Sequence, residues 1–160
     1  MKIYILVGLP ASGKTYYGLK LSDKLKCTFV DDISLNHRVN SLEYAIRHKE
    51  DNIVVSDINL CRSNEREKCK SWLERNAKEY EVEFIFFENN PNACLANSKR
   101  RMLNGDDRKV DGAIKQLSEV YKIPDNVKSI PCYELFQGIG YENKPTYLIG
   151  DKNGCAEPKL

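Results

Sequence analysis

Residues 8–15 constrain the fold of this chain more than any other stretch, because their letters, GLPASGKT, match the pattern G-x-x-x-x-G-K-[ST] at every specified position. A short apolar run at residues 3–7 is typical of a buried parallel strand, and residues 16–26 carry apolar side chains at helical spacing. Strand, loop and helix therefore occur in the order that a phosphate-binding loop requires. The alternative is a glycine-rich turn that arose by chance, and the flanking strand and helix argue against it.

Each residue type in this loop has a physical reason to bind phosphate. Gly8 and Gly13 allow the backbone to curl, so that successive N–H groups point inward and the following helix N-terminus adds partial positive charge. Lys14 can reach the β- and γ-phosphates, and the Thr15 hydroxyl is placed to ligate Mg²⁺. The loop residues predicted to bind the nucleotide are Gly8, Pro10, Ala11, Ser12, Gly13, Lys14 and Thr15.

Length and charge limit the architecture and the choice of partner. A chain of 160 residues with 41% hydrophobic residues predicts one domain with a sizeable core. We expect this domain to cover residues 1–150 and residues 151–160 to form a loose polar tail. The formal net charge of +2 is small. Binding of a nucleic acid would therefore need a local basic patch rather than a field over the whole molecule.

The sequence favours a cytoplasmic protein. A strand is predicted to begin at residue 3 with no basic-then-apolar leader before it, and no apolar run approaches the ~20 residues that a membrane span needs. The six cysteines, at positions 27, 61, 69, 94, 132 and 155, include no C-x-x-C pair and no histidine at zinc-ligand spacing. We therefore expect reduced thiols rather than a disulfide framework.

Two predicted strands end in acidic residues. Residues 26–30 lead into Asp31 and Asp32, and the strand at residues 52–57 ends in Asp57. Because ligands of open α/β sheets bind beyond the carboxyl ends of the strands, we expect Asp31 and Asp57 on the same rim as the loop. There Asp31 is placed to accept a proton from an attacking hydroxyl, and Asp57 resembles the acid of a Walker B strand. The alternatives are a helix cap for either member of the acid pair and a turn residue for Asp57.

Residues 94–121 carry the densest positive charge, and we predict that they form a helix-loop-helix lid over a bound triphosphate. Arginine suits such a lid, because its guanidinium engages phosphate oxygens bidentately and stabilises charge during transfer. For Lys99, Arg101 and Lys109 taken individually, a solvated helix face is the preferred interpretation.

The other predicted elements are scaffold. A helix is predicted at residues 41–49, and a second helix starts at Asn59 or Ser63 and runs to Tyr80 with Trp72 in the core. A strand at residues 83–87 is expected to be covered on both faces, and a helix starts at Pro91. Two further strands are predicted at residues 129–136 and 146–149, separated by glycines 138 and 140.

Several separated blocks of this sequence resemble the kinase domain of phage-type 5′-hydroxyl polynucleotide kinases. In order and spacing they cover roughly residues 1–124, and they are residues 8–15, 31–32, 56–60, 77–80 and 97–100. The resemblance implies that Lys14 and Thr15 hold the triphosphate and its Mg²⁺. It also implies that Asp31 is the general base and that Asp57 is a carboxylate of the acceptor site. Arg100 looks like the lid arginine, which acts on the nucleotide and on the transferring group.

The chain departs from that family at the acceptor site. Family members carry arginines immediately before the acid pair and three residues after its first acid, whereas this chain has Val30 and Ser34 at those positions. His37 and Arg38 are the nearest candidates to replace the missing contact with the nucleic-acid phosphate. The segment that follows the acid pair is also shorter than in the family, and we expect no phosphatase domain of the kind that some members carry.

Together these features predict a three-layer P-loop kinase-like α/β domain, with a mostly parallel sheet between helices and a helical lid. The predicted reaction is transfer of the γ-phosphoryl group of ATP, with Mg²⁺, to a hydroxyl. The 5′-hydroxyl of a polynucleotide is the leading acceptor, and a small molecule such as a nucleoside or a sugar is the second. A nucleotide-binding switch without turnover is a third possibility. We expect no membrane partner. We also expect the protein to be located in the cytoplasm, which is the host cytoplasm if the chain is encoded by a phage.

Overall fold

A computed structural model describes residues 1–33, 39–106 and 108–134 of the chain. The elements in order are β1 (Lys2–Val7), α1 (Lys14–Leu25), β2 (Thr28–Val30), α2 (Val39–Arg47), β3 (Asn52–Ser56), a 3₁₀ turn (Ile58–Cys61), α3 (Ser63–Asn76), β4 (Glu81–Phe86), α4 (Pro91–Leu103) and α5 (Asp111–Val120).

The four strands form one sheet in the order β2-β3-β1-β4, and every pair of neighbours is parallel. Ile5 of β1 lies opposite Val55 of β3 on one side and Phe84 of β4 on the other. The prediction of an α/β fold with a parallel sheet is therefore confirmed. Because all strands run the same way, the carboxyl ends of β1, β2 and β3 meet at one edge, where the candidate site lies.

Helices cover both faces of this sheet, because neighbouring residues of a strand point to opposite sides. Ile3 and Ile5 of β1 belong to a large buried cluster that also contains residues of α2, α3, α4 and α5. Leu6 belongs to a smaller cluster on the opposite face, against which Tyr17 and Leu21 of α1 pack. The arrangement is thus three layers, with α1 alone on one side among the described helices.

Several element boundaries differ from those predicted. Strand β2 begins at Thr28 rather than at Lys26, because Lys26 adopts a left-handed conformation with a φ of 53° and ends α1. Helix α3 ends at Asn76 rather than continuing to Tyr80. Tyr80 instead lies in the turn before β4, where its hydroxyl donates to the Glu50 carbonyl at 2.6 Å.

Part of the C-terminal prediction can be compared with the structure. Of the predicted strand at residues 129–136, Ile130 forms a single parallel bridge to Phe87, and residues 131–134 are not strand. Residues 135–136, the predicted strand at 146–149 and the tail at 151–160 lie outside the described residues, as do Ser34, His37 and Arg38.

None of the helices that the structure describes has the length and apolar character needed to cross a membrane. The five cysteines within the described residues have free thiols, as expected, and Cys155 lies outside that part of the chain. The Sγ atoms of Cys94 in α4 and Cys132 lie 3.6 Å apart.

Candidate functional site

The loop between β1 and α1 folds as a tight turn around Gly8 and Gly13. Gly13 has a φ of 100°, which a residue with a side chain rarely adopts. A Cβ atom at Gly8 would lie 2.9 Å from both the Cβ of Phe87 and the Oγ of Ser12. The Ser12 N–H donates to the Leu9 carbonyl at 3.2 Å. Gly13 is therefore required by its backbone conformation, and Gly8 by the close approach of Phe87 and Ser12.

Lys14 lies over this loop as the first residue of α1. Its side chain is buried, with 6% exposed, and its ammonium donates to the Leu9 carbonyl at 2.8 Å. A single hydrogen bond to a carbonyl satisfies only one of the three donors of an ammonium group. Lys14 therefore keeps donors that a phosphate group bound in the loop can accept.

Asp31 joins the loop to the ends of two strands. Its Oδ2 accepts a hydrogen bond from the Thr15 hydroxyl at 2.9 Å, and its Oδ1 accepts one from the Ser56 hydroxyl. Thr15 is the second residue of α1, Asp31 follows β2, and Ser56 is the last residue of β3. The structure thus brings Asp31 and the last residue of the motif together, as the parallel sheet predicts.

Asp32 presents a second carboxylate to the same place. Its backbone is left-handed, with a φ of 45°, and its N–H donates to the Ser56 hydroxyl at 3.2 Å. Among the described residues, its buried Oδ1 has no hydrogen-bond partner. Burial raises the pKa of this carboxyl above its ordinary value, and the neighbouring Asp31 raises it further, while Lys14 acts in the opposite direction.

These groups surround a cavity of about 130 Å³, which we name the loop cavity. Its lining residues are Pro10, Ala11, Gly13, Lys14, Thr15, Asp32, Ile58, Arg101, Arg108 and Val110. Within the described residues, the basic side chains that line it are Lys14, Arg101 and Arg108. Arg100, for which the sequence predicted the role of lid arginine, is not among the lining residues, whereas Arg101 and Arg108 are.

The position of α4 explains why Arg101 reaches the loop cavity. Asn97 is buried, and its side-chain amide donates to the Ala11 carbonyl at 2.9 Å and to the Tyr133 carbonyl. Ser98 donates to Asp111 at 2.8 Å and so ties α4 to α5. Arg101 follows Asn97 by four residues and therefore lies on the same face of the helix. Its buried Nε has no hydrogen-bond partner among the described residues.

Arg108 is held by its neighbour Asp106. The Nε atom of Arg108 donates to Oδ1 and Oδ2 of Asp106, both at 3.0 Å, and its Nη2 donates to Oδ2 at 2.5 Å. Hydrogen bonds from Arg108 lower the pKa of Asp106 below its ordinary value. The planar fork of the guanidinium is thereby fixed in one orientation at the rim of the loop cavity.

Asp57 lies on the other side of the strand ends. It is buried, with 8% exposed, and its Oδ1 accepts the Asn59 N–H at 2.9 Å, which caps the 3₁₀ turn. Asp57 therefore has the local capping role typical of a turn residue. It also lines a second cavity, of about 310 Å³, which we name the Trp72 cavity. The lining residues are Ile33, Leu42, Val55, Asp57, Asn59, Leu60, Glu65, Lys68, Cys69 and Trp72.

The sequence did not identify several residues of this site. Ser56 immediately precedes the predicted Asp57, and its place at the strand end is the signal that was available for it. Trp72 was expected in the core but is half-buried and lines a cavity. Tyr133 packs so closely on the loop that a Cβ atom at Gly13 would lie 2.8 Å from its ring. No sequence pattern indicates this contact, because the two residues are far apart in the chain.

The residues of the loop cavity fit a hydrated Mg²⁺ ion bound with phosphates. No cluster of three or more acidic, histidine or cysteine side chains that could hold a metal ion occurs in the described part of the chain. Mg²⁺ bound with a nucleotide needs fewer protein ligands, since it keeps several waters and takes phosphate oxygens. Thr15 and Asp32 both line this cavity, and their side chains carry hard oxygen atoms of the kind that Mg²⁺ prefers.

No family model and no curated protein sequence matches the chain. Any assignment of function therefore depends on the residues and the geometry described above. The geometry brings together Lys14, Thr15 and Asp31, and it places Asp57 at the neighbouring cavity.

Proposed function

We propose that this chain is a P-loop kinase that transfers the γ-phosphoryl group of ATP to a hydroxyl. One observation carries the proposal: the Thr15 hydroxyl at the end of the loop motif donates to Asp31 at 2.9 Å, so that a potential base lies beside a potential phosphate site. Among the described residues that line the loop cavity, Lys14, Arg101 and Arg108 are basic, the last paired with Asp106, and Asp32 is acidic, which favours a polyanionic ligand.

On the donor side, the loop N–H groups and Lys14 bind the β- and γ-phosphates of ATP. The residues that would hold Mg²⁺ are Thr15, directly, and Asp32, directly or through water. When bound, the ion neutralises part of the charge that develops on the phosphate oxygens. Arginine side chains from the α4–α5 region complete the charge stabilisation. Arg101 and Arg108 line the cavity, and Arg100 is the arginine that the resemblance implies.

On the acceptor side, Asp31 takes the proton of the attacking hydroxyl. The acceptor oxygen forms a bond to the γ-phosphorus, and the bond from that phosphorus to the β–γ bridging oxygen breaks, so that ADP leaves with the electron pair. Ser56 holds the Asp31 carboxylate in place from the β3 side. Ser56 thereby orients Oδ1 of Asp31. When nucleotide enters, Oδ2 exchanges its hydrogen bond from Thr15 for one from the acceptor hydroxyl.

Two acceptor classes have separate support. The resemblance favours the 5′-hydroxyl of a polynucleotide. This chain lacks the two arginines of that family, so the contact with the nucleic-acid phosphate would come from another residue such as Arg38, which lies outside the described residues. The Trp72 cavity beside Asp57 favours a small molecule, because its described walls are mainly apolar. Both acceptors share the donor chemistry, and for both we propose a cytoplasmic enzyme.

The test is transfer of label from γ-radiolabelled ATP to oligonucleotides with free 5′ ends, nucleosides and sugars offered in parallel. Label on any of these acceptors supports the kinase, and the labelled class identifies the acceptor. ATP binding with no labelled acceptor supports the switch instead. Absence of ATP binding by the folded protein contradicts the proposal as a whole.

A further inference from the structure

The Trp72 cavity has walls that suit an uncharged ring. The side chains of Ile33, Leu42, Val55, Leu60, Cys69 and Trp72 form most of its surface. Burial, with a further contribution from Asp57, raises the pKa of Cys69 to about 11, so that its thiol is neutral at neutral pH. A volume of about 310 Å³ is at the lower end of the range of small-molecule sites. A sugar would leave most of its hydroxyls without partners against these walls.

The charges at this cavity disfavour an anion. Among the described lining residues, Asp57 and Glu65 are acidic and Lys68 is basic. Lys68 is already paired with Glu65 at 3.0 Å, and its side chain is 71% exposed. A phosphate group in the cavity would therefore lie near the buried Asp57 carboxylate with no free cation among the described lining residues to offset it. The loop cavity has the opposite character, because Lys14 and Arg101 line it in addition to Arg108, which is itself paired with Asp106.

The two cavities share a wall. Asp32 lines the loop cavity and the next residue, Ile33, lines the Trp72 cavity. In the same way, Ile58 lines the loop cavity and the preceding residue, Asp57, lines the Trp72 cavity. The wall is therefore made by the ends of β2 and β3, where Asp31 accepts its hydrogen bond from Ser56. Asp31 directly precedes Asp32, so it lies at the strand ends that separate a molecule in the Trp72 cavity from the loop cavity.

We propose that the Trp72 cavity binds the acceptor, and that the acceptor is an uncharged aromatic ring compound that carries the reacting hydroxyl. The proposal rests on the proposed kinase function and adds the class of substrate to it. The aromatic ring packs against Trp72 and the aliphatic walls, and the hydroxyl points past Asp57 to Asp31. Thymidine is a suitable probe, since it has an aromatic base, no charge and one primary hydroxyl.

Trp72 is the only tryptophan of the chain, so its fluorescence reports directly on this cavity. We expect thymidine to change the fluorescence saturably, ribose to have no effect, and thymidine 3′-monophosphate to bind at least about tenfold more weakly than thymidine. The variant Cys69→Phe fills the cavity and should abolish the thymidine response. Lys70→Phe places the same ring on the exposed neighbouring position and should leave the response unchanged.

Binding of Mg²⁺·ATP, measured in the same preparations by equilibrium dialysis, keeps the two proposals separate. If the protein binds ATP but its Trp72 fluorescence responds equally to thymidine and ribose, the proposed substrate class is wrong and the proposed kinase function still stands. Tighter binding of thymidine 3′-monophosphate, or of a thymidine pentamer with a free 5′-hydroxyl, overturns the requirement for an uncharged acceptor. Failure to bind ATP overturns the kinase itself. The comparison of probes on the wild-type chain needs no variant, so it holds even if Cys69→Phe does not fold.

Discussion

The loop cavity and the Trp72 cavity lie on opposite sides of the same two strand ends and differ in charge and in origin. The loop cavity is cationic, and half of its described lining residues come from residues 10–15 alone. The Trp72 cavity is mainly apolar, and it depends on the packing of β3, α2 and α3 against one another. The lining of the loop cavity is thus encoded largely in one short motif, whereas that of the Trp72 cavity arises only from tertiary packing.

The substitution Asp31→Asn tests the wall between the two cavities and should have the largest effect. The amide retains the size of the side chain but cannot take a proton, so transfer to every acceptor should fall by about 10²–10⁴-fold. Binding of ATP and the response of Trp72 to thymidine should both persist, because each cavity keeps its own lining. Steady-state kinetics with labelled ATP measure the loss, and Asp23→Asn on the exposed end of α1 is the control. An unchanged kcat would show that Asp31 is not the base.

The substitution Lys14→Ala should disable the loop cavity alone. Removal of one preorganised charge at the phosphates should lower transfer by at least about 10²-fold. Loss of the hydrogen bond from Lys14 leaves the buried Leu9 carbonyl without this donor and should cost about 1–3 kcal/mol of stability, which a folded domain of this size tolerates. Lys24→Ala, on the exposed surface of α1, is the matched control. Full transfer activity of the folded variant would rule out the loop as the donor site, and a lost thymidine response would show that the cavities are not independent.

A pair of variants in α4 tests which arginine serves the loop cavity. Because Arg101 lines the cavity and Arg100 does not, Arg101→Ala should lower kcat by about 10²-fold with a smaller change in the KM for ATP. Arg100→Ala should have less effect. The reverse order would show that α4 turns or shifts when nucleotide binds, so that the arginine implied by the resemblance reaches the phosphates. Equal effects would indicate that neither arginine acts alone.

The difference between the cavities also explains what the sequence could predict. The loop, the parallel sheet and the position of Asp31 beside Thr15 follow from local patterns and from the rule that parallel strands end at one edge. The choice between Arg100 and Arg101 depends on the rotation of α4. That rotation is fixed by the contact of Asn97 with the Ala11 carbonyl, a contact between residues far apart in the chain.

The Trp72 cavity could not be predicted for a related reason. Helical spacing placed Trp72 on the apolar face of α3 but could not show whether a neighbour fills the space beside its ring. The end of α3 was also misplaced, because Ala77 and Tyr80 are buried in a turn rather than in a continued helical stripe.

The smallest expected effect comes from Asp32, the carboxylate that lines the loop cavity among the described residues. Asn tolerates the left-handed backbone of this position as well as Asp does, so Asp32→Asn should change the charge and leave the fold unchanged. The pKa of Asp32 is raised from 3.8, mainly by burial, so the folded chain binds a proton more tightly than the unfolded chain. Ionisation of Asp32 therefore destabilises the ligand-free protein, and this destabilisation grows as the pH rises from about 4 through the folded pKa.

The variant removes that destabilisation. Its melting temperature without nucleotide should exceed that of the wild type at neutral pH, and the difference should shrink as the pH falls to about 4. Thermal unfolding across this pH range measures both features, and Asp23→Asn, with a largely exposed carboxylate, should show no such pH-dependent gain. A gain that is independent of pH would assign the effect to packing rather than to charge. A loss of stability at neutral pH would mean that Asp32 is already stabilised by its cationic neighbours Lys14 and Arg108, and that the loop cavity is balanced in charge before any nucleotide enters.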